Sequence, residues 1–200
     1  MNIRNAGLTL LAFALMAGCC ADGQSPASAK MYTPSLQAGA EFSGFDTDVA
    51  TSPHPFEYGV GVYADLKVLG PIGIEAEART IQFNQYLNVR QDIASGGLRY
   101  VLDRGPLAAH GYLLYAKALG GLGSADFPEG TYGQDRPRRH DTFSTLTLGG
   151  GVEHRLTYRV SLRAEYEYQS WFNYGRGETE LGVGTANPNG FSVGLAYRFF

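Results

Sequence analysis

Twelve ionisable side chains recur on alternate residues within segments whose other positions are apolar. They are Glu41, the trio Glu75, Glu77 and Arg79, then Arg99, Lys117, the pair Glu153 and Arg155, the trio Arg163, Glu165 and Glu167, and Arg198. Two kinds of chemistry are open to carboxylates and cations so spaced. They can move protons or line an ion path, the default reading for ionisable groups at membrane depth. They can also neutralise one another as bidentate pairs that fill space. The mixture of signs within each segment favours the ion-pair network, in which deleting one member costs about 3–5 kcal/mol by stranding its partner.

Other candidates carry less. His54, His110, His140 and His154 lack the spacing of a metal site. None is followed two positions on by serine, the pair that one class of membrane-embedded lipid A deacylases uses for nucleophilic attack. Arg136, Arg138 and Arg139, with His140, form a basic cluster beside Asp126, Glu129 and Asp135. It suits charge-assisted bonds to lipopolysaccharide phosphates, or equally a solvated loop. The glycine runs at 120–123 and 149–151 lack the strand-to-helix setting of a phosphate cradle and fit close strand packing instead. No residue set points to a catalytic centre, a cofactor or a metal.

The elements that must position the twelve are strands. Side chains alternate apolar and polar with period two over eight segments: Leu36–Phe42, Phe56–Leu66, Ile72–Ala78, the region from about Gln91 to Leu102, Tyr112–Ala118, Leu146–Leu156, Val160–Tyr168 and Phe191–Phe199. A helix would scatter Glu75, Glu77 and Arg79 over three faces. Connections of a few residues, at 69–71, 103–106 and 157–159, alternate with longer polar ones at 46–55, 84–90, 123–141 and 173–189. Short turns on one rim and long loops on the other is the layout of a transmembrane barrel. Segments of about 10 to 14 residues suffice for a tilted strand to cross a bilayer core.

Composition agrees. The chain has 27 glycines, 13 tyrosines and 11 phenylalanines, favouring turns and strands. Its net charge of −3 is interspersed, which argues against a nucleic-acid partner or a polybasic membrane patch. Beyond residue 30 no apolar run approaches the roughly 18 residues of a membrane helix. Residues 1–29 read as a secretory leader, with Arg4 in the charged region, an apolar stretch from Leu8 to Ala17 and a small-residue cleavage site at Ala27-Ser28-Ala29. Met16-Ala17-Gly18-Cys19 offers a competing lipoprotein processing site. Both cysteines, Cys19 and Cys20, lie in this leader, so residues 30–200 must be held without disulfides.

Alternation alone does not say which face points inward. A soluble lipocalin-like carrier would wrap its apolar face around a ligand, whereas a membrane barrel turns that face to lipid. The arginine-rich polar face suits a narrow interior, and aromatic residues gather at the segment ends as interfacial girdles do. In hydrocarbon every backbone amide must be paired internally, so eight such strands must close.

From about Ser35 to Phe200 the chain resembles the small eight-stranded outer-membrane barrels of the OmpA and OmpX type. Leu148-Gly149-Gly150-Gly151-Val152-Glu153 followed by Leu162-Arg163-Ala164-Glu165-Tyr166 carries the resemblance to their penultimate strand pair. Tyr197, Phe199 and Phe200 match the aromatic C-terminal signal read by the barrel-assembly machinery. The resemblance implies an all-β, antiparallel up-and-down transmembrane barrel, monomeric and integral to the bacterial outer membrane. It further implies a plugged lumen, and loops that meet lipopolysaccharide in a structural or surface-interaction role.

Overall fold

The computed structural model describes residues 34–46, 56–83, 89–102, 106–127, 139–173 and 185–200. The expected leader, with Cys19 and Cys20, lies outside them. Nine strands follow in chain order: β1 Ser35–Asp46, β2 Phe56–Leu69, β3 Ile72–Phe83, β4 Arg90–Leu102, β5 Tyr112–Phe127, β6 Arg139–Arg155, β7 Val160–Phe172, the two-residue β8 Thr185–Ala186, and β9 Asn189–Arg198. One helical turn, Pro106–Ala109, sits between β4 and β5. The eight long strands pair antiparallel with their neighbours, β9 pairs with both β1 and β7, and β6 pairs with β7, so the sheet closes on itself. β8 is a short addition at the end of β7.

The ladder fixes the geometry of the tube. From Val152 on β6, successive paired residues are Ala164, Val193, Phe42, Val60, Thr80, Asp92, Ser124 and Thr142, back on β6 ten residues away. Eight strands with that stagger tilt by roughly 40° from the barrel axis. The same walk puts all residues of one alternation phase inside and the other outside. Leu148, Val193 and Tyr197 are 51%, 53% and 41% exposed, while Glu75 and Glu167 are fully buried. Along the middle of the strands apolar side chains face out and charged ones face in, the reverse of a lipocalin-like carrier.

The turn rim is built from local chemistry. Gly70 and Gly111 adopt positive φ (57° and 81°), a conformation cheap only for glycine. The β6–β7 turn is pinned by Thr157, whose Oγ1 accepts from the amides of Arg159 at 3.2 Å and Val160 at 2.9 Å. Two expected boundaries move. The connection placed at 123–141 is shorter, because β5 and β6 continue pairing through Phe127 opposite Arg139. The polar and small residues there do not read as strand alone, yet the ladder carries them beyond the apolar belt. The turn after β4 also takes in the helical turn.

The candidate functional site: the barrel interior

Three layers of charge cross the interior from the turn rim toward the loop rim. In the lowest, Arg99 bridges Asp65 and Glu153, reaching the latter at 2.8 Å. Gln37 donates to both carboxylates, at 2.6 and 3.0 Å. The Arg99 guanidinium lies 4.1 Å from the centre of the Tyr115 ring. In the central layer Arg163 grips Glu75 through both terminal nitrogens, at 2.7 and 3.2 Å, and donates to Glu165 from Nε at 2.9 Å. It is sandwiched over Tyr63 and Tyr115, at 4.2 and 4.9 Å. Lys117 Nζ faces Glu75, Glu77 and Glu165 at 3.3, 2.9 and 3.1 Å and also touches Glu167. In the upper layer Arg79 joins Glu41, Glu77 and Glu167 at 2.5, 2.7 and 2.6 Å.

Strand phase explains why these residues meet. Arg163, Glu165 and Glu167 on β7 and Glu75, Glu77 and Arg79 on β3 project across the tube toward each other, and Lys117 on β5 sits between them. Rings need room in so narrow a tube, and glycine supplies it. A Cβ on Gly39 would lie 2.6 Å from the Tyr63 ring that faces it across the β1–β2 pair.

Above the charged layers, toward the loop rim, the inward face changes character. Phe45, Ile81, Val89, Ile93, Ala125, Phe143, Trp171 and Ala186 form one buried apolar cluster. The Phe143 and Trp171 rings lie 4.8 Å apart, and Trp171 Nε1 donates to Gln169 at 2.9 Å. Sequence analysis did not single out this cluster, although Trp171 is in phase with Glu165 and Glu167, and Phe45 with Glu41. Asp65, Gln37, Tyr63 and Tyr115 were also missed, each in the inward phase of its strand.

Ten of the twelve residues singled out from sequence lie buried in this interior: Glu41, Glu75, Glu77, Arg79, Arg99, Lys117, Glu153, Arg163, Glu165 and Glu167. Arg198 is half-buried at the turn rim, 4.0 Å from Glu153. Arg155 is a correction: it is exposed, because β6 runs past the rim before it ends and the inward phase there faces no lumen. Tyr197, Phe199 and Phe200 are all exposed at the turn rim, and the Phe199 amide still donates to Leu36 at 2.9 Å beyond the end of β9. Arg136 and Arg138 lie outside the described residues, and Arg139 opens β6. His154 stacks on Tyr112 on the outer face, 4.2 Å between ring centres, and His140 pairs with Asp126 at 2.7 Å. Glu41, Glu77 and Glu165 bring carboxylate oxygens within 4.8 Å of one another, the one such grouping among the described residues.

A closed barrel with an apolar exterior, aromatic rims and buried ion pairs defines an integral outer-membrane β-barrel. Residues 11–199 match the outer membrane protein beta-barrel domain family, and the chain belongs to that family. It is similar to outer membrane protein A of Escherichia coli O157:H7, 33% identical over 87 residues, which are 43% of this chain and 22% of that protein. The corresponding protein of Shimwellia blattae is 37% identical over 87 residues, 34% of its length. The match therefore spans about a fifth to a third of the length of these relatives. Among solved structures, Neisserial surface protein A superposes with a TM-score of 0.61 at 15% identity, covering 82% of this chain and 96% of that one. The N-terminal barrel of Pseudomonas aeruginosa OprF gives 0.51 at 10% identity, covering 82% and 97%. At such identities the likeness concerns the fold. The protein resides in the outer membrane.

Proposed function

We propose that this barrel is a non-catalytic, monomeric surface protein whose loops engage lipopolysaccharide and other envelope or external partners, while its interior is closed to solutes. One observation carries the reading: the inward face is occupied by paired charges and, above them, by the apolar cluster around Trp171 and Phe143. Long side chains that satisfy one another leave an eight-stranded tube without a water path. The working surface is then the loop rim, where Arg136, Arg138 and Arg139 supply cations for phosphate groups. Names such as surface protein, carried by a structural neighbour, fit this division of labour. Tyr197, Phe199 and Phe200 form the strand end offered to the assembly machinery.

The test replaces Arg136, Arg138 and Arg139 together with serine and measures the thermal midpoint of the folded protein in detergent with and without added lipopolysaccharide. The reading expects lipopolysaccharide to raise the midpoint of the parent protein and to do so markedly less in the variant. Equal stabilisation of both would overturn the loop assignment.

A further inference from the structure

Arg159 is a cation without an acid. Each of the interior cations Arg79, Arg99, Lys117 and Arg163 holds at least two carboxylates. Arg159 is exposed on the β6–β7 turn, and among the described residues its guanidinium meets none. Its side chain bonds instead to a phenol, Nη1 donating to the Tyr197 hydroxyl at 2.7 Å. The arginine is nonetheless held in place. Its carbonyl accepts from the Arg198 amide at 2.7 Å, its own amide donates to Thr157 Oγ1 at 3.2 Å, and the guanidinium carbon lies 5.2 and 5.9 Å from the centres of the Tyr158 and Tyr197 rings, within the range of cation–π attraction. Tyr197 is in phase with Val193 and Leu195, so a guanidinium that reaches its hydroxyl stands on the lipid side of the turn rim.

The surroundings indicate what the cation meets. Tyr158 beside it is 79% exposed, and the Phe199 ring, also exposed, packs edge-on against Tyr197 at 5.3 Å. Rings with an apolar body and a polar tip belong at the boundary between hydrocarbon and water, and the short turns of such a barrel reach the periplasmic leaflet. The anion at that depth is a lipid phosphate. A guanidinium presents five N–H donors in a planar fork, of which Tyr197 takes one. The Tyr197 oxygen accepts that bond, so its own hydrogen is free for a second acceptor. A phosphate oxygen beside the pair gains from both groups, through the charge-assisted bonding in which arginine is strongest. We propose that Arg159 and Tyr197 seat the phosphodiester of an anionic phospholipid in the periplasmic leaflet, with Tyr158 and Phe199 against the upper part of its acyl chains. A zwitterionic lipid suits the place less well, because it brings an ammonium of its own and none of the described carboxylates stands beside Arg159 to receive it. Free phosphate would gain nothing from the two rings.

Native mass spectrometry of the full chain, folded in a non-ionic detergent and given phosphatidylglycerol, phosphatidylcholine with the same acyl chains, or inorganic phosphate, tests the site. The parent protein should retain one phosphatidylglycerol where phosphatidylcholine is retained several-fold less, and inorganic phosphate at the same concentration should not displace it. Arg159→Gln should weaken that retention by about tenfold, the effect of losing one charge-assisted hydrogen bond, and Tyr197→Phe, which keeps the ring, by about threefold. Arg90→Gln removes an exposed cation at the loop rim that is paired with Asp92 at 3.1 Å, and it should retain the lipid as the parent does. A heat-modifiable gel shift identifies the folded fraction of each variant. Equal retention of phosphatidylglycerol by the parent and by folded Arg159→Gln overturns the proposal, as does a loss in Arg90→Gln as large as that in Arg159→Gln. Two results in the parent protein overturn it without any variant: phosphatidylcholine held as well as phosphatidylglycerol, which removes the preference for an anionic lipid, or displacement by inorganic phosphate, which makes the place a free-anion site.

Discussion

Arg163→Ala is the sharpest perturbation of the interior. Arg163 is 1% exposed and holds two carboxylates, Glu75 through a two-nitrogen grip and Glu165 through Nε. Its removal leaves Glu75 only Lys117 at 3.3 Å and Arg99 at 3.5 Å, and leaves Glu165 the Tyr115 hydroxyl and Lys117. Stranding a buried charge costs about 3–5 kcal/mol, and the surviving contacts put this case near the low end. The lost stacking on Tyr63 and Tyr115 adds about 1 kcal/mol, so the total is about 4 kcal/mol. Urea unfolding from vesicles, followed by the fluorescence of the single tryptophan, Trp171, reads it directly. For a slope of about 2 kcal/mol per molar urea the midpoint drops by roughly 2 M. Arg163→Lys should recover only part of the loss, because an ammonium cannot make the planar two-nitrogen grip. Arg155→Ala, at the exposed end of β6, should cost at most about 1 kcal/mol, as exposed polar interactions do. A loss below about 1 kcal/mol for Arg163→Ala, or an equal loss at Arg155, would refute the view that the interior pairs are mutually dependent.

Two further outcomes follow from the packing. Gly97→Ala should destabilise the barrel by about 1–3 kcal/mol, since the new Cβ would collide with the Ala118 carbonyl oxygen across the β4–β5 pair, whereas Gly120→Ala, which meets nothing within 4 Å, should leave the unfolding midpoint unchanged or slightly raised. In planar bilayers the protein should show no steady porin-scale conductance, and Phe143→Ala combined with Trp171→Ala should leave it closed as long as the ion-pair layers persist; a stable open pore in the parent protein would contradict a closed interior.

Much of this architecture is written in period-two alternation. Glu75, Glu77 and Arg79 can share a face only in a strand, and their opposite face of Ile74, Ala76 and Ala78 suits lipid, so fold, membrane and inward residues follow together. Partner identity is less legible. That Arg79 meets Glu41, Glu77 and Glu167, while Arg99 meets Asp65 and Glu153, depends on the ten-residue stagger of the ladder, which no single segment encodes. The apolar cluster was hidden for a related reason. Phe45, Phe143 and Trp171 are apolar residues in the inward phase, and a face named polar by its middle residues was not followed to its outer end. Arg155 shows the opposite failure, an inward phase that continues in sequence after the lumen has ended.

The central claim is the direction of the two faces across the bilayer, and labelling adjacent residues tests it most directly. Single cysteines replace Thr147, Leu148, Ser192 and Val193 in turn, in a chain whose Cys19 and Cys20 have been removed or changed to serine. Spin labels attached to each after folding into vesicles are probed with oxygen, which concentrates in lipid, and with a water-soluble nickel chelate. Labels at Leu148 and Val193 should collide readily with oxygen and hardly with nickel, while the Thr147 and Ser192 sites, buried against the interior, should resist labelling or show little collision with either. Nickel access at Leu148 and Val193 equal to that of an exposed loop site would contradict the account.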